Sequence, residues 1–314
     1  MKVVFVLAVC GLLVCSAFAR THNAVGVLTK NLDDDGPEQG SYLTNAIVRY
    51  LQEQGLYVVP LIYDMDNETI ANLLPKLSGV LFTGGGGTPT PGTKYYETGK
   101  QVFDFVISEG EQGRPFPLFG VCLGFEMISV ITANDHGVLG EFDATAIPLP
   151  LEFTEEAADS AMFRDAPAAL LHSLKTRNLT WNNHEYGVSP TTYATNSKLK
   201  KMFKVLTTNK DRKGTPFVST IEARDSARFP IFATQWHPEC ASWLCFRDVE
   251  EMNSVDGLEA SLWIMRPFAE AAKKSNRGFP SDKDLFKARI ENYPYTYDPS
   301  DGTTMFYFPQ WTKP

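Results

Sequence analysis

The chain has 314 residues, 43% hydrophobic and 21% charged, a balance that excludes a disordered or fibrous polymer and suits one large domain or two ordinary ones. Lys and Arg together number 29 against 37 Asp and Glu, a formal charge of −8. With no basic excess to displace counterions from phosphates, nucleic acid is not an expected partner.

Residues 1–19 stand apart. Lys2 precedes an apolar run from Val3 to Val14, and Ala17-Phe18-Ala19 is a small-x-small cleavage signal. This is the pattern of a secretory signal peptide, with 20–314 left as the mature chain. The run is shorter than the ~20 residues that span a bilayer, so no membrane contact is expected after cleavage. In a secreted chain, Asn67-Glu68-Thr69 and Asn178-Leu179-Thr180 are candidate N-glycosylation sites and should lie at the surface. The mature chain keeps Cys122, Cys240 and Cys245, an odd number that points to a free thiol or an intermolecular bridge. Cys240 and Cys245 are close enough in sequence to pair, which would leave Cys122 free, but geometry decides such a bridge.

The first half alternates strand and helix. Ala24 to Thr29 is a short apolar strand. Ser41 to Gln54 has helical spacing, with Leu43, Ile47, Val48 and Leu51 on one face and Gly55 as a stop. Tyr57 to Ile62 is a strand in which Pro60 marks a sheet edge or a strand end. Asn67 to Leu77 is helical, capped by Asp66 or Asn67. Gly79 to Thr83 is a strand running into Gly84-Gly85-Gly86-Gly87. Tyr95 to Glu109 is a helix, Pro117 to Val121 a strand, and Leu123 to Thr132 a helix. Ala146 to Phe153, Lys204 to Thr208, Phe217 to Ala223 and Ile231 to Gln235 read as further strands. Met162 to Leu174 and Gly257 to Lys274 read as helices. The tail from Asn292 to Pro314, rich in aromatics and Pro, either wraps the body or forms an interface. The expected fold is α/β: a doubly wound, mostly parallel central sheet flanked by helices, with added antiparallel strands in the second half. Such sheets place their sites beyond the carboxyl ends of the strands, where Gly84–Gly87 and Cys122 lie.

Gly120-Val121-Cys122-Leu123-Gly124 carries an apolar strand straight into a nucleophile-type residue and then a helix. The G-x-C-x-G spacing is the thiol form of a nucleophile elbow, whose sharp turn needs small residues two positions either side. The helix N-terminus favours a thiolate, and the Leu123 N–H is a candidate oxyanion donor. The competing reading is a buried cysteine acting as a small hydrophobe. In Gln235-Trp236-His237-Pro238-Glu239, an extended chain projects His237 and Glu239 to one side, as a base and its orienting carboxylate. The glycine run supplies backbone N–H groups able to approach a ligand closely. A phosphate loop fails there, because Thr93 intervenes between Gly92 and Lys94 and no Ser or Thr follows the lysine. His184, between Asn183 and Glu185, reads locally as a loop histidine, exposed or capping. No ligand spacing suggests a metal.

FTGG (Phe82–Gly85), GVCLGFE (Gly120–Glu126), NNHEYGVSP (Asn182–Pro190), KVLTTN (Lys204–Asn209) and QWHPE (Gln235–Glu239), in this order, resemble the class I glutamine amidotransferase-like superfamily. Within it they are similar to the gamma-glutamyl hydrolase family. FTGGGG stands where that family places a proline before its glycine pair. The resemblance implies a single catalytic domain over 20–314 and a hydrolase that cleaves γ-glutamyl isopeptides of folylpoly-γ-glutamates. It implies Cys122 as nucleophile, His237 as base and acid, Glu239 as orienter, and Leu123 and Gly85 as oxyanion donors. It places His184 and Glu126 on the substrate side. It implies no cofactor, a homodimer, and a lysosomal, vacuolar or extracellular location. Two other readings are a glutaminase-type amidohydrolase acting on another γ-glutamyl amide, and a non-catalytic secreted binding protein on the same fold.

Overall fold

The computed structural model describes residues 23–32, 40–243, 250–298 and 303–312. The expected signal peptide and Cys245 lie outside the described residues. The chain opens with β1 (Ala24–Leu28), β2 (Lys30–Asn31), β3 (Ser41–Thr44), α1 (Asn45–Glu53), β4 (Tyr57–Leu61) and α2 (Asn67–Leu73). It continues through β5 (Gly79–Phe82), α3 (Lys94–Glu111), β6 (Leu118–Val121) and α4 (Leu123–Ala133). Then come β7 (Gly140–Leu149), β8 (Glu152–Phe153), α5 (Ala168–Thr176), β9 (Thr180–Gly187), α6 (Pro190–Thr195), α7 (Ser197–Met202), β10 (Phe203–Lys210) and β11 (Pro216–Ala223). Last are β12 (Ile231–Thr234), α8 (Glu239–Trp243), α9 (Val255–Lys273), α10 (Asp282–Ala288), β13 (Tyr295–Asp298) and β14 (Thr303–Phe308).

An eight-stranded sheet runs β4-β1-β5-β6-β12-β11-β10-β8. The five strands from β4 to β12 are parallel, and β11, β10 and β8 add to them antiparallel. Every residue of β1, β5, β6 and β12 is buried, as strands covered on both faces must be. Pro60 sits on β4 at the sheet edge, where a missing N–H breaks no ladder. Because β5, β6 and β12 are neighbours with parallel direction, their carboxyl ends bring Gly84, Cys122 and His237 together from three distant stretches of sequence.

Three elements differ from the sequence expectation. Ser41 to Thr44 is a strand, and Thr44 caps the helix that starts at Asn45 through its hydroxyl to the Ile47 N–H. The strand forms because β14 pairs with it, from Met305↔Thr44 to Phe308↔Ser41. The helix expected from Met162 begins only at Ala168, after Pro167. Before it, the buried carboxylate of Glu222 accepts the N–H groups of Ala161 and Met162 at 3.0 and 3.1 Å and holds a turn there. The strand expected from Ala146 to Phe153 divides: β7 starts earlier, at Gly140, and pairs with β9 in a separate ribbon, while β8 joins the main sheet. The tail wraps the body, with β13 and β14 in a small sheet beside β3 and β2, and the Trp311 N–H donates to Asp64 at 2.8 Å. No helix among the described residues is long and apolar enough to cross a membrane.

Candidate active site

Cys122 has φ +50° and ψ −106°, a strained conformation for a residue with a side chain. Its N–H donates to the Thr234 carbonyl of β12 at 2.8 Å, and its own carbonyl accepts the first helical bond, from the Glu126 N–H at 3.1 Å. The flanking glycines are steric requirements. A Cβ on Gly120 would fall 2.7 Å from the Gly124 carbonyl oxygen, and one on Gly124 would run into the Phe82 carbonyl of β5. Leu123 is the first residue of α4, so its N–H has no acceptor within the helix. All of α4 except Thr132 is buried, which locks the elbow from behind.

The end of β12 supplies an imidazole. Trp236 is buried and its indole donates to Thr220 at 3.3 Å, while the His237 N–H donates to the Trp181 carbonyl at 2.8 Å. His237 Nδ1 donates to Glu239 Oε1 at 2.8 Å, with the two side chains only 15% and 7% exposed. The Cys122 sulfur acts on the same imidazole. Burial opposes a charge on His237, but the Glu239 carboxylate and then the Cys122 sulfur more than offset it and hold its pKa well above the ordinary value. The arrangement favours a charged imidazolium beside Cys122. Glu239 reaches His237 across a turn, since α8 begins at Glu239, and not along an extended strand.

Cys122, Gly85, Glu126 and His184 line one cavity of about 230 Å³, with Thr145 and Asn183 on its wall. A larger cavity of about 430 Å³ opens at the other ends of the strands, by Pro117 and Pro230, away from the nucleophile. Gly84 is closer to the reacting pair than Gly85: a Cβ there would lie 2.8 Å from His237 Cε1 and 3.4 Å from Cys122 Cβ. Glu126 is buried, and burial raises its pKa to about 7 against the pull of the Gln235 amide and of His237. Gln235 Nε2 donates to Glu126 Oε1 at 3.0 Å and lies 3.9 Å from Cys122 Sγ.

His184 is not in an exposed loop. It sits on β9, buried, with Nδ1 donating to the Tyr186 carbonyl at 2.8 Å and its ring edge-on to Phe217 at 4.8 Å. Burial pushes its pKa down to about 4, so it is neutral near pH 7. The local Asn-His-Glu composition hid this, because the register that buries alternate residues of β9 comes from pairing with β7. Thr145 and Asn183 carried no signal of their own: only the fold brings them to the cavity wall.

Asn67 and Asn178 are both exposed. Cys240 is buried, and its pairing with Cys245 falls outside the described residues. Three donor atoms, from His237, Glu239 and Cys240, lie within 4.8 Å of one another. Two of the three are His237 and Glu239, whose own hydrogen bond at 2.8 Å accounts for their closeness.

Residues 38–243 match the family model "Glutamine amidotransferase class-I". Gamma-glutamyl hydrolase B of Dictyostelium discoideum is 34% identical over 257 residues, 82% of this chain and 73% of that protein. Gamma-glutamyl hydrolase of Bos taurus is 34% identical over 258 residues, 82% of this chain and 79% of that one. Gamma-glutamyl hydrolase of Homo sapiens is 31% identical over 310 residues, 93% of each chain.

Proposed function

The chain belongs to the gamma-glutamyl hydrolase family, within the class-I glutamine amidotransferases, and from that premise we propose that it hydrolyses γ-glutamyl isopeptide bonds of folylpoly-γ-glutamates through a thioester on Cys122. The observation that carries the reading is the Cys122–His237–Glu239 set at the ends of two adjacent parallel strands. The Cys122 thiolate attacks the γ-carbonyl carbon. The N–H groups of Leu123 and Gly85 bond the oxyanion, each such donor being worth about 2.7–4 kcal/mol in comparable sites. His237, held charged by Glu239, gives its proton to the departing α-amine. Water, deprotonated by His237, then attacks the thioester and frees the acid, so thiol and imidazole return to their starting state. Neutral His184 and the Glu126 carboxyl line the substrate side. No cofactor takes part in this scheme.

We also propose, from the sequence pattern, that residues 1–19 are removed and that 20–314 works as one catalytic domain. On the same basis the protein is a homodimer, glycosylated on Asn67 and Asn178, in the lysosome, the vacuole or outside the cell. The activity is tested by mass spectrometry of the protein incubated with pteroyl-penta-γ-glutamate. Loss of glutamate units with the wild type, and none with a folded Cys122→Ala variant, is the expected result. Turnover by Cys122→Ala overturns the mechanism. Ammonia release from glutamine without cleavage of the pentaglutamate points to a glutaminase instead.

A further inference from the structure

The ribbon of β7 and β9 stands outside the main sheet and walls the cavity opposite the glycine loop. It has its own small apolar cluster, Phe142, Ala144 and Phe217, with Ile147 and Leu149 packed against it. Its register shifts twice, between Glu141 and Ala144 and between Ala144 and Ile147. Inside the second shift Ala146 has φ +50°, a left-handed backbone that alanine rarely adopts. Two side chains hold it there. Asn183 Oδ1 accepts the Ala146 N–H at 3.1 Å, and Arg212 Nη2 donates to the Ala146 carbonyl at 3.2 Å. Arg212 comes from the turn between β10 and β11 and is itself tied to β7. Its Nη1 donates to Asp143 Oδ1 at 3.2 Å, and its backbone N–H to the Asp143 carbonyl at 3.1 Å.

Thr145, next to the strained residue, and Asn183 both line the cavity with Cys122. Among the described residues, the Thr145 hydroxyl and Asn183 Nδ2 are committed to no other group. Two acids, Glu126 and Glu185, line the same cavity, so an anionic substrate needs donors there. We propose that Thr145 and Asn183 bond the α-carboxylate of the γ-glutamyl unit, and that Arg212 is the positioning residue that sets this wall by clamping Ala146. The inference rests on the γ-glutamyl reading above and adds to it how the substrate's carboxylate is recognised. Each γ-linked glutamate carries a free α-carboxylate close to the scissile amide, within reach of a wall beside the nucleophile. A hydroxyl and an amide N–H bond it without placing a second full charge beside the imidazolium–thiolate pair.

The test uses the full-length protein and the variants Arg212→Ala, Thr145→Val and Arg212→Ala/Ala146→Gly. Arg212 is half exposed and leaves the nucleophile and base untouched. Arg212→Ala is expected to speed amide exchange across Gly140–Leu149. It should also raise KM for pteroyl-penta-γ-glutamate about tenfold, the value of one lost bond to a charged group, with kcat changed less than about twofold. Adding Ala146→Gly should recover most of KM, because glycine takes φ +50° without strain. Thr145→Val should raise KM with exchange unchanged. Unchanged exchange in Arg212→Ala overturns the clamp, and unchanged KM in both single variants overturns the carboxylate role. A wild type that cleaves no γ-glutamyl substrate fails the activity reading and the carboxylate role with it, while exchange still decides the clamp.

Discussion

Glu126 lies buried four residues after the nucleophile, and its proton is a stability term with a definite sign. Unfolded, its carboxyl titrates near its ordinary value of 4.5, and folded at about 7. Below 4.5 both states hold the proton and stability is at its fullest. Between 4.5 and 7 only the unfolded chain releases it, so stability falls as pH rises through that window. The loss is complete above the folded value, on the order of 3 kcal/mol. Denaturant titrations at pH 4.5 and 7.5 should therefore show the wild type losing about that much relative to Glu126→Gln across the window. Glu239→Gln removes the carboxylate that holds the imidazolium. The pH midpoint for alkylation of Cys122 by iodoacetamide should rise, and turnover should fall about 100-fold. An unshifted alkylation profile would show that Glu239 does not support the charge on His237.

At the scale of elements, the site is three strand ends and a ribbon. The elbow between β6 and α4 works because Gly124 lets the helix approach the Phe82 carbonyl of β5. Gly124→Ala must push α4 away, and overpacking of this kind costs about 1–3 kcal/mol. The denaturation midpoint should drop, and Cys122 alkylation should slow because the thiol moves away from His237. Both glycines of the elbow and the pairing of His237 with Glu239 were legible in the sequence, since G-x-C-x-G and His-x-Glu are local spacings, although the extended chain expected between His237 and Glu239 is a turn. The ribbon was not. Its register is set by two bulges and by Phe217 on another strand, so His184 read as a loop residue until β7 was paired with β9.

Across the whole molecule, the tail reaches the site by a chain of packing. β14 pairs with β3, and β3 with β2. Lys30 of β2 and Tyr42 of β3 lie directly under Gly85, where a Cβ would come 2.7 Å from Lys30 Cγ and 3.2 Å from Tyr42 Oη. Phe308 is 2% exposed and stacks near Tyr293 at 5.0 Å. Phe308→Ala should cost about 3–5 kcal/mol. If the small sheet supports the glycine loop, kcat should fall along with the melting temperature, at a temperature where the variant is still folded. A variant with a lowered melting temperature and full kcat would confine the tail to stability.

The mostly parallel α/β core, the elbow at Cys122 and the pairing of His237 with Glu239 can be read from the residues alone. Each of these follows from residues a few positions apart: continuous apolar runs, glycines two residues from a cysteine, a carboxylate two residues from an imidazole. Only long-range contacts make Ser41 to Thr44 a strand, bury His184 in its neutral form, bring Gln235 within 3.9 Å of Cys122 Sγ and set Thr145 and Asn183 on the cavity wall. The same contacts bring the Arg212 guanidinium to the Ala146 carbonyl. The physical reason is range: β14 meets β3, and Arg212 meets Ala146, across long stretches of chain, and no local periodicity records a partner that only the folded sheet brings within bonding distance.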